Sequence, residues 1–156
     1  MISLRTVARG GTCLLMVLCL GHGLAVAGEG QVVRAGSAPT FRSPDGLATF
    51  ELLLEPPGGN ASYLGRAVFR PGARSPVHQH PDSEELVYVL SGSGTMTLGD
   101  ATFTVEVGMA LRIPAGVAHS FTVGGEEPME IVQVYSPGGP EQRFRAWEQQ
   151  TEGDKP

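Results

Sequence analysis

Glycine, proline and asparagine punctuate this chain at intervals too short for ordinary helices, and that spacing is what most limits its fold. Turn clusters fall at residues 44–46, 56–60, 71–72, 92–94, 99–100, 108, 114–116, 124–125 and 137–140. The stretches between them are rich in Val, Leu, Phe and Thr, side chains that suit a pleated, half-buried surface. Strands are therefore expected over 48–55, 62–70, 85–90, 95–98, 101–107, 109–113, 118–123 and 129–135. In the first, Phe50, Leu52 and Leu54 share a face. In 101–107, Phe103, Val105 and Val107 point one way while Thr102, Thr104 and Glu106 point the other, the period of two that marks a strand with one dry side. The fold class is all-β, a small sandwich or barrel. Beyond Pro140 the pattern changes: residues 141–150 lack glycine and proline and set Phe144 and Trp147 three apart, which predicts a short C-terminal helix with its aromatics on the barrel. The tail, 151–156, is expected to fray.

The amino terminus reads differently. Arg5 and Arg9 precede an apolar stretch over 13–20, and Ala25, Val26 and Ala27 follow, the order of a secretory signal cleaved after Ala27. Gly21, His22 and Gly23 interrupt the apolar run well short of the ~20 residues a spanning helix needs. Residues 1–27 are thus expected to leave, 28–40 to form a small, polar arm that is loose or adds an edge strand, 41–140 to form the barrel, and 141–156 the helix and tail. The expected location is periplasmic or secreted, with no membrane partner after cleavage. Cys13 and Cys19 leave with the signal, so a mature chain has neither thiol nor disulfide and must rely on packing, aided by metal. Losing Arg5 and Arg9 makes the formal charge of −5 two units more negative, and an acidic surface without a basic cluster excludes nucleic acid as the expected partner. Asn60, Ala61 and Ser62 form a glycosylation acceptor if the host glycosylates.

Once His22 has gone, the remaining histidines are His78, His80 and His119, and each sits in a spaced motif. Residues 72–92 read GARSPVHQHPDSEELVYVLSG, with His78, His80 and Glu85 between Gly72 and Gly92. Residues 108–119 read GMALRIPAGVAH, with Gly108, Pro114, Gly116 and His119. In extended backbone, residues two apart share a face, so His78 and His80 point together while Gln79 points away. Glu85 shares its face with Val87 and Val89 and so heads an apolar wall. Glu84 faces the other side and is the less favoured carboxylate. A buried carboxylate is costly alone, and a divalent cation beside it relieves that cost. A lone histidine is most often a satisfied core or surface residue. Here every mature histidine falls on one of two motifs.

These two runs resemble the two-part signature of the cupin superfamily in its small, single-domain form with a short spacer, and the resemblance covers residues 41–137. It implies an antiparallel double-stranded β-helix, or jelly roll, holding a divalent transition metal (Fe, Mn, Ni, Cu or Zn) on His78, His80, Glu85 and His119. The family pattern often ends in asparagine four places after the last histidine, where this chain has Val123. The resemblance also implies pairing of the barrels, hence a homodimer.

Such a family includes dioxygenases, isomerases, lyases and decarboxylases, so the motif does not choose a reaction. With each mature histidine assigned as a ligand, any base must be a carboxylate, a tyrosine or water held by the metal, which favours dioxygenase-like chemistry. A serine or cysteine nucleophile has no support, because the mature chain lacks cysteine, a spare histidine and a Gly-x-Ser-x-Gly run. The expected partner is a small organic molecule. Phe121, on the face of His119, is expected in the pocket wall, and Gln133, which interrupts an apolar run, is a candidate contact beside Tyr63, Arg66, Tyr88 and Tyr135. The competing readings are a non-catalytic metal or small-ligand binding module and a barrel with no metal at all.

Overall fold

The computed structural model describes residues 30–57 and 61–151, and all of these but Gly30 belong to one compact unit, Gln31–Pro156. The expected leader, both cysteines, Asn60 and the last five residues lie outside the described residues. Among the described residues, ten strands run antiparallel in two sheets: β1 (Thr40–Arg42), β2 (Ala48–Leu54), β3 (Tyr63–Phe69), β4 (Glu84–Ser91), β5 (Ser93–Leu98), β6 (Ala101–Glu106), β7 (Ala110–Ile113), β8 (His119–Gly124), β9 (Met129–Ser136) and β10 (Glu148–Gln149). The larger sheet has the order β10-β1-β2-β3-β9-β4-β7, and the smaller has β6-β5-β8.

The central pair shows why the chain folds this way. In β3, Tyr63, Gly65, Ala67 and Phe69 are buried while Leu64, Arg66 and Val68 are half-exposed. In β9, Met129, Ile131, Gln133 and Tyr135 are buried and their neighbours are not. With a side-chain period of two, only one register puts both apolar sets on the same face, and β3 and β9 pair in it from Tyr63 opposite Tyr135 to Phe69 opposite Met129. Met96, Val105 and Val123 of the smaller sheet join Phe50, Phe69 and Ile131 of the larger one in a single core.

Two local expectations change in the folded chain. Val107 does not share the inward face of Phe103 and Val105 but is 60% exposed, because β6 ends at Glu106 and Val107 opens the turn to β7. The C-terminal helix is a 3-10 helix, Pro140–Ala146, and the chain then extends at Trp147 and pairs β10 with β1 instead of continuing helical through residue 150. The edge of β1 offers unpaired backbone groups, and a strand satisfies them where a helix would not. The aromatics still pack inward: Phe144 stacks on Phe50 at 3.9 Å between ring centroids, and Trp147 meets Phe50 edge-on at 5.5 Å. A three-residue spacing also suits the 3-10 period, which eclipses positions three apart.

Gly92 carries the chain from β4 in one sheet to β5 in the other. Its φ is +74°, and a Cβ there would sit 2.5 Å from the Pro128 carbonyl oxygen and 2.6 Å from Met129 Cα. Gly46 has a similar φ of +72° with open space around it. Gly46→Ala should therefore cost about 1–2 kcal/mol, the left-handed penalty alone, whereas Gly92→Ala adds a backbone collision and should cost about 3 kcal/mol or more. Urea unfolding midpoints of the two variants measure the difference, and equal losses would refute the packing role given to Gly92.

Candidate metal centre

Backbone pairing brings the two histidine runs together. The segment between β3 and β4 lies antiparallel to β8: Val123 N–H donates to the Ala73 carbonyl, Ser75 N–H to Phe121, and His78 and His119 exchange both of their backbone hydrogen bonds, at 3.0 and 2.8 Å. Residues directly opposite in an antiparallel pair project to the same side. The His78 and His119 rings accordingly lie 4.2 Å apart. The turn beneath is fastened as well, since Gly116 N–H donates to the His80 carbonyl at 2.8 Å. Gln79 is exposed between two inward imidazoles.

Among the described residues, His78, His80 and His119 offer donor atoms that all lie within 4.8 Å of one another. Glu85, buried on β4, sets Oε2 3.2 Å from His80 Nε2 and 3.4 Å from His119 Nε2. Glu84 points to the opposite face and pairs with Arg112 at 3.0 Å.

The hydrogen bonds on the far side of the rings decide the chemistry. His119 Nδ1 lies 2.9 Å from the Val117 carbonyl, and His78 Nδ1 2.9 Å from the Pro76 carbonyl. A carbonyl only accepts, so each Nδ1 must carry the proton, and in a neutral ring Nε2 is then a bare lone pair. His119 Nε2 is buried without a hydrogen-bond partner and faces a carboxylate oxygen. Two lone pairs in contact repel unless a proton or a cation lies between them. This donor set, three imidazoles with two held in one tautomer by carbonyls and one carboxylate, fits a divalent transition metal.

Titration follows the same geometry. Burial alone would raise the Glu85 carboxyl, but the His119 and His80 rings outweigh it and hold the group down at about 2. Burial pulls His119 down, yet Glu85 and the Val117 carbonyl leave its imidazole above its ordinary 6.5. His78 has no such carboxylate, and burial keeps it below 6.5 and neutral.

Beside these groups lies a cavity of about 450 Å³. His78, Glu85 and His119 sit in its wall, and Phe50, Phe69, Phe121, Met96 and Val105 make much of the rest apolar. Of the pocket candidates read from the sequence, Phe121, Gln133 and Tyr135 line it. Gln133 is on the inner face of β9, a strand paired on both sides, and not at a sheet edge. The other three lie elsewhere. Tyr63 is wholly buried under Tyr135, its ring folded over Gly65, where a Cβ would meet the hydroxyl at 1.8 Å. Arg66 is on the outer face of β3, bound to Glu130 and near Glu51. Tyr88 is 47% exposed on the outer face of β4. Parity accounts for Arg66 and Tyr88: both sit at odd steps from the inward residues of their strands. Burial lifts the Tyr135 phenol well above its usual range, and Arg143 donates to the Tyr135 hydroxyl at 3.4 Å. Arg143 and Trp147, both lining the cavity from the C-terminal segment, carried no signal beyond the aromatic spacing.

A family model described as a cupin domain matches residues 65–135. The chain is 32% identical to the protein SchB of Streptomyces halstedii, over 72% of this chain and 81% of SchB. It is 37% identical to the polyketide synthase CurC of Streptomyces cyaneus over 53% of this chain and 54% of CurC, so it spans about half the length of that relative. Among solved structures, KdgF from Halomonas sp. aligns with a TM-score of 0.63 at 17% identity, covering 73% of this chain and 99% of KdgF, which speaks to the fold. The matched residues hold all four donors and stop short of the C-terminal 3-10 helix. A relative matched over most of its length, and a domain model that runs from β3 through β9, place this chain in the cupin superfamily.

Proposed function

We propose that this protein is an exported, metal-dependent cupin in which His78, His80, Glu85 and His119 hold one divalent transition metal, and that a small organic molecule reacts in the adjoining cavity by dioxygenase-like chemistry. The observation that carries the metal is the bare His119 Nε2 facing Glu85 Oε2 at 3.4 Å. Such an ion, when bound, supplies Lewis acidity or oxygen activation. The chain's own residues do the rest. The Pro76 and Val117 carbonyls fix the ring tautomers, Glu85 balances cation charge, and the aromatic wall excludes water.

The choice of reaction rests on the shortage of bases. Glu85 is committed to the imidazoles. The phenol of Tyr135 is pushed far up by burial and so stays protonated, a donor and not a base. Asp45 also lines the cavity, but its carboxylate accepts from the Ser43 hydroxyl and the Leu47 amide, which hold it below its ordinary value. Proton abstraction by a side chain is thus poorly served. The apolar wall, and a relative that bears the name polyketide synthase, support a largely apolar organic substrate. A non-catalytic binding module is the second reading, favoured by the same shortage of bases.

Export is supported by Arg5, Arg9, the apolar run and the Ala25–Val26–Ala27 step. A homodimer is supported by exposed Tyr88, Leu90, Val107 and Met109 near the β4–β7 edge. Mass spectrometry of the exported protein should give a chain starting at Gly28, and light scattering should return twice the chain mass. An intact leader or a monomer at micromolar concentration would contradict those parts.

Elemental analysis of protein from its native host should find about one transition metal per chain, and His80→Ala should remove it. Full occupancy in that variant would refute the donor set. Oxygen-electrode assays with aromatic and polyoxygenated substrates separate the two readings, since a binding module holds metal but consumes no dioxygen. Metal binding must displace protons from His119, whose imidazole sits above 6.5. Affinity in chelator competition should therefore fall with falling pH, starting from above pH 6.5, by about tenfold per pH unit for each proton displaced. Affinity independent of pH between 5 and 8 would exclude imidazole ligation.

A further inference from the structure

The cavity takes its charge from outside the metal site. Glu85 is absorbed by the histidines and Asp45 by its own turn. Two arginines remain in the wall, Arg74 and Arg143, and neither has a carboxylate within 4.0 Å among the described residues. Arg145, two residues on from Arg143 in the same 3-10 helix, is by contrast bound to Glu55. In a chain of formal charge −5, the cavity therefore presents cations to whatever enters it.

Arg143 is the better placed of the two. Its guanidinium donates to the Tyr135 hydroxyl at 3.4 Å and lies 4.9 Å from the centroid of the Phe144 ring. Tyr135 packs edge-on against His80 at 4.9 Å, so Arg143 stands one aromatic ring away from the histidine cluster. The segment that carries it is anchored just beyond Arg143, by the Phe144–Phe50 stack and by the pairing of β10 with β1. A guanidinium held by a phenol and a π face retains most of its donors for a ligand, in the fork that matches a carboxylate. The same cavity is lined by Phe69 and Phe121, edge-to-face at 4.6 Å, and by the chain's single tryptophan, Trp147.

We propose that the ligand of this cavity is an organic anion, a carboxylate on a flat apolar body, and that Arg143 selects it by pairing with the carboxylate while the aromatic wall takes the body. The proposal rests on the reading of the cavity as a small-molecule site, and it does not require a bound metal. Arg143 lies beyond the matched domain residues, so the selectivity belongs to the C-terminal segment of this chain and not to the shared barrel.

The test is titration of the full mature protein with 2-naphthoate and with its neutral counterpart 2-naphthamide, read from Trp147 fluorescence and checked by calorimetry. It is run on protein as purified and again after metal stripping, with metal content measured on each sample. Wild-type protein should prefer the carboxylate by about tenfold or more. Arg143→Gln should cut that preference at least about fivefold in both preparations, with the naphthamide Kd unchanged within about twofold and metal content unaltered. Arg143→Lys should recover part of it, and Arg145→Gln, which breaks the neighbouring pair with Glu55, should keep all of it. The same preference in wild type and Arg143→Gln overturns the proposal, as does loss of preference in Arg74→Gln alone, or failure of 2-naphthoate to bind below millimolar concentration. Protein that carries no metal as purified from its native host, with the preference intact, would sink the metal reading and leave this one. Metal retained with no preference would do the reverse.

Discussion

The site depends on one pair of backbone hydrogen bonds, those exchanged by His78 and His119. Forty-one positions apart in sequence, these residues are brought opposite one another because the segment before β4 lies along the edge of β8. The pairing satisfies four backbone groups, and it also sets the two imidazoles side by side on one face. His80 follows by the two-residue period, and Glu85 is delivered from the other sheet by β4. The donor cluster is thus a by-product of sheet closure. Beyond the strands it needs one tight turn, in which Gly116 has a φ of +75° and donates to the His80 carbonyl, so short runs of sequence suffice to encode it.

The same pairing creates an electrostatic problem that the rest of the site addresses. Val117 and Pro76 take the Nδ1 protons of His119 and His78, so the Nε2 of His119 must meet Glu85 as a lone pair or as part of a charged ring. Without a cation the folded chain resolves this by shifting charge: Glu85 is driven down to about 2 and His119 is lifted. A buried carboxylate between imidazoles is stable in that state only while a proton is shared. A metal ion bound there would take the proton's place and satisfy the carboxylate and the imidazoles together.

Much of this was legible in the sequence, and the misses have a common cause. Strand parity placed Glu85 inward and Glu84 outward, and it set His78 and His80 together, because a period of two needs no knowledge of the partner strand. Parity fails at strand ends. Val107 belongs to the alternating series on paper, but one residue past the last ladder bond it turns to solvent. With Glu85 inward the same parity puts Tyr88 outside, whereas β3 carries no such anchor and only its register with β9 puts Arg66 outside. Gln133 shows the converse: a polar residue in an apolar run resembles an edge, yet β9 is central and the amide faces inward. The stretch after Pro140 read as one helix because local pattern cannot see that β1 presents a free edge for residues 148–149.

That last miss bears on function. A barrel with four metal donors admits many reactions, and the donors themselves do not distinguish one substrate from another. Discrimination has to come from groups that line the cavity without touching the ion. Most of those, including Phe69, Met96, Val105 and Phe121, are apolar and serve any body of suitable size. The C-terminal segment differs because it is tied to the barrel by an aromatic stack and a two-residue strand, and not by the ladder that builds the donors. Its side chains at positions 143 and 147 take no part in the backbone bonds of the His78–His119 pair. On the proposed reading, the part that would hold the ion and the part that would read the ligand are separate, and in this chain the division falls at the end of β9.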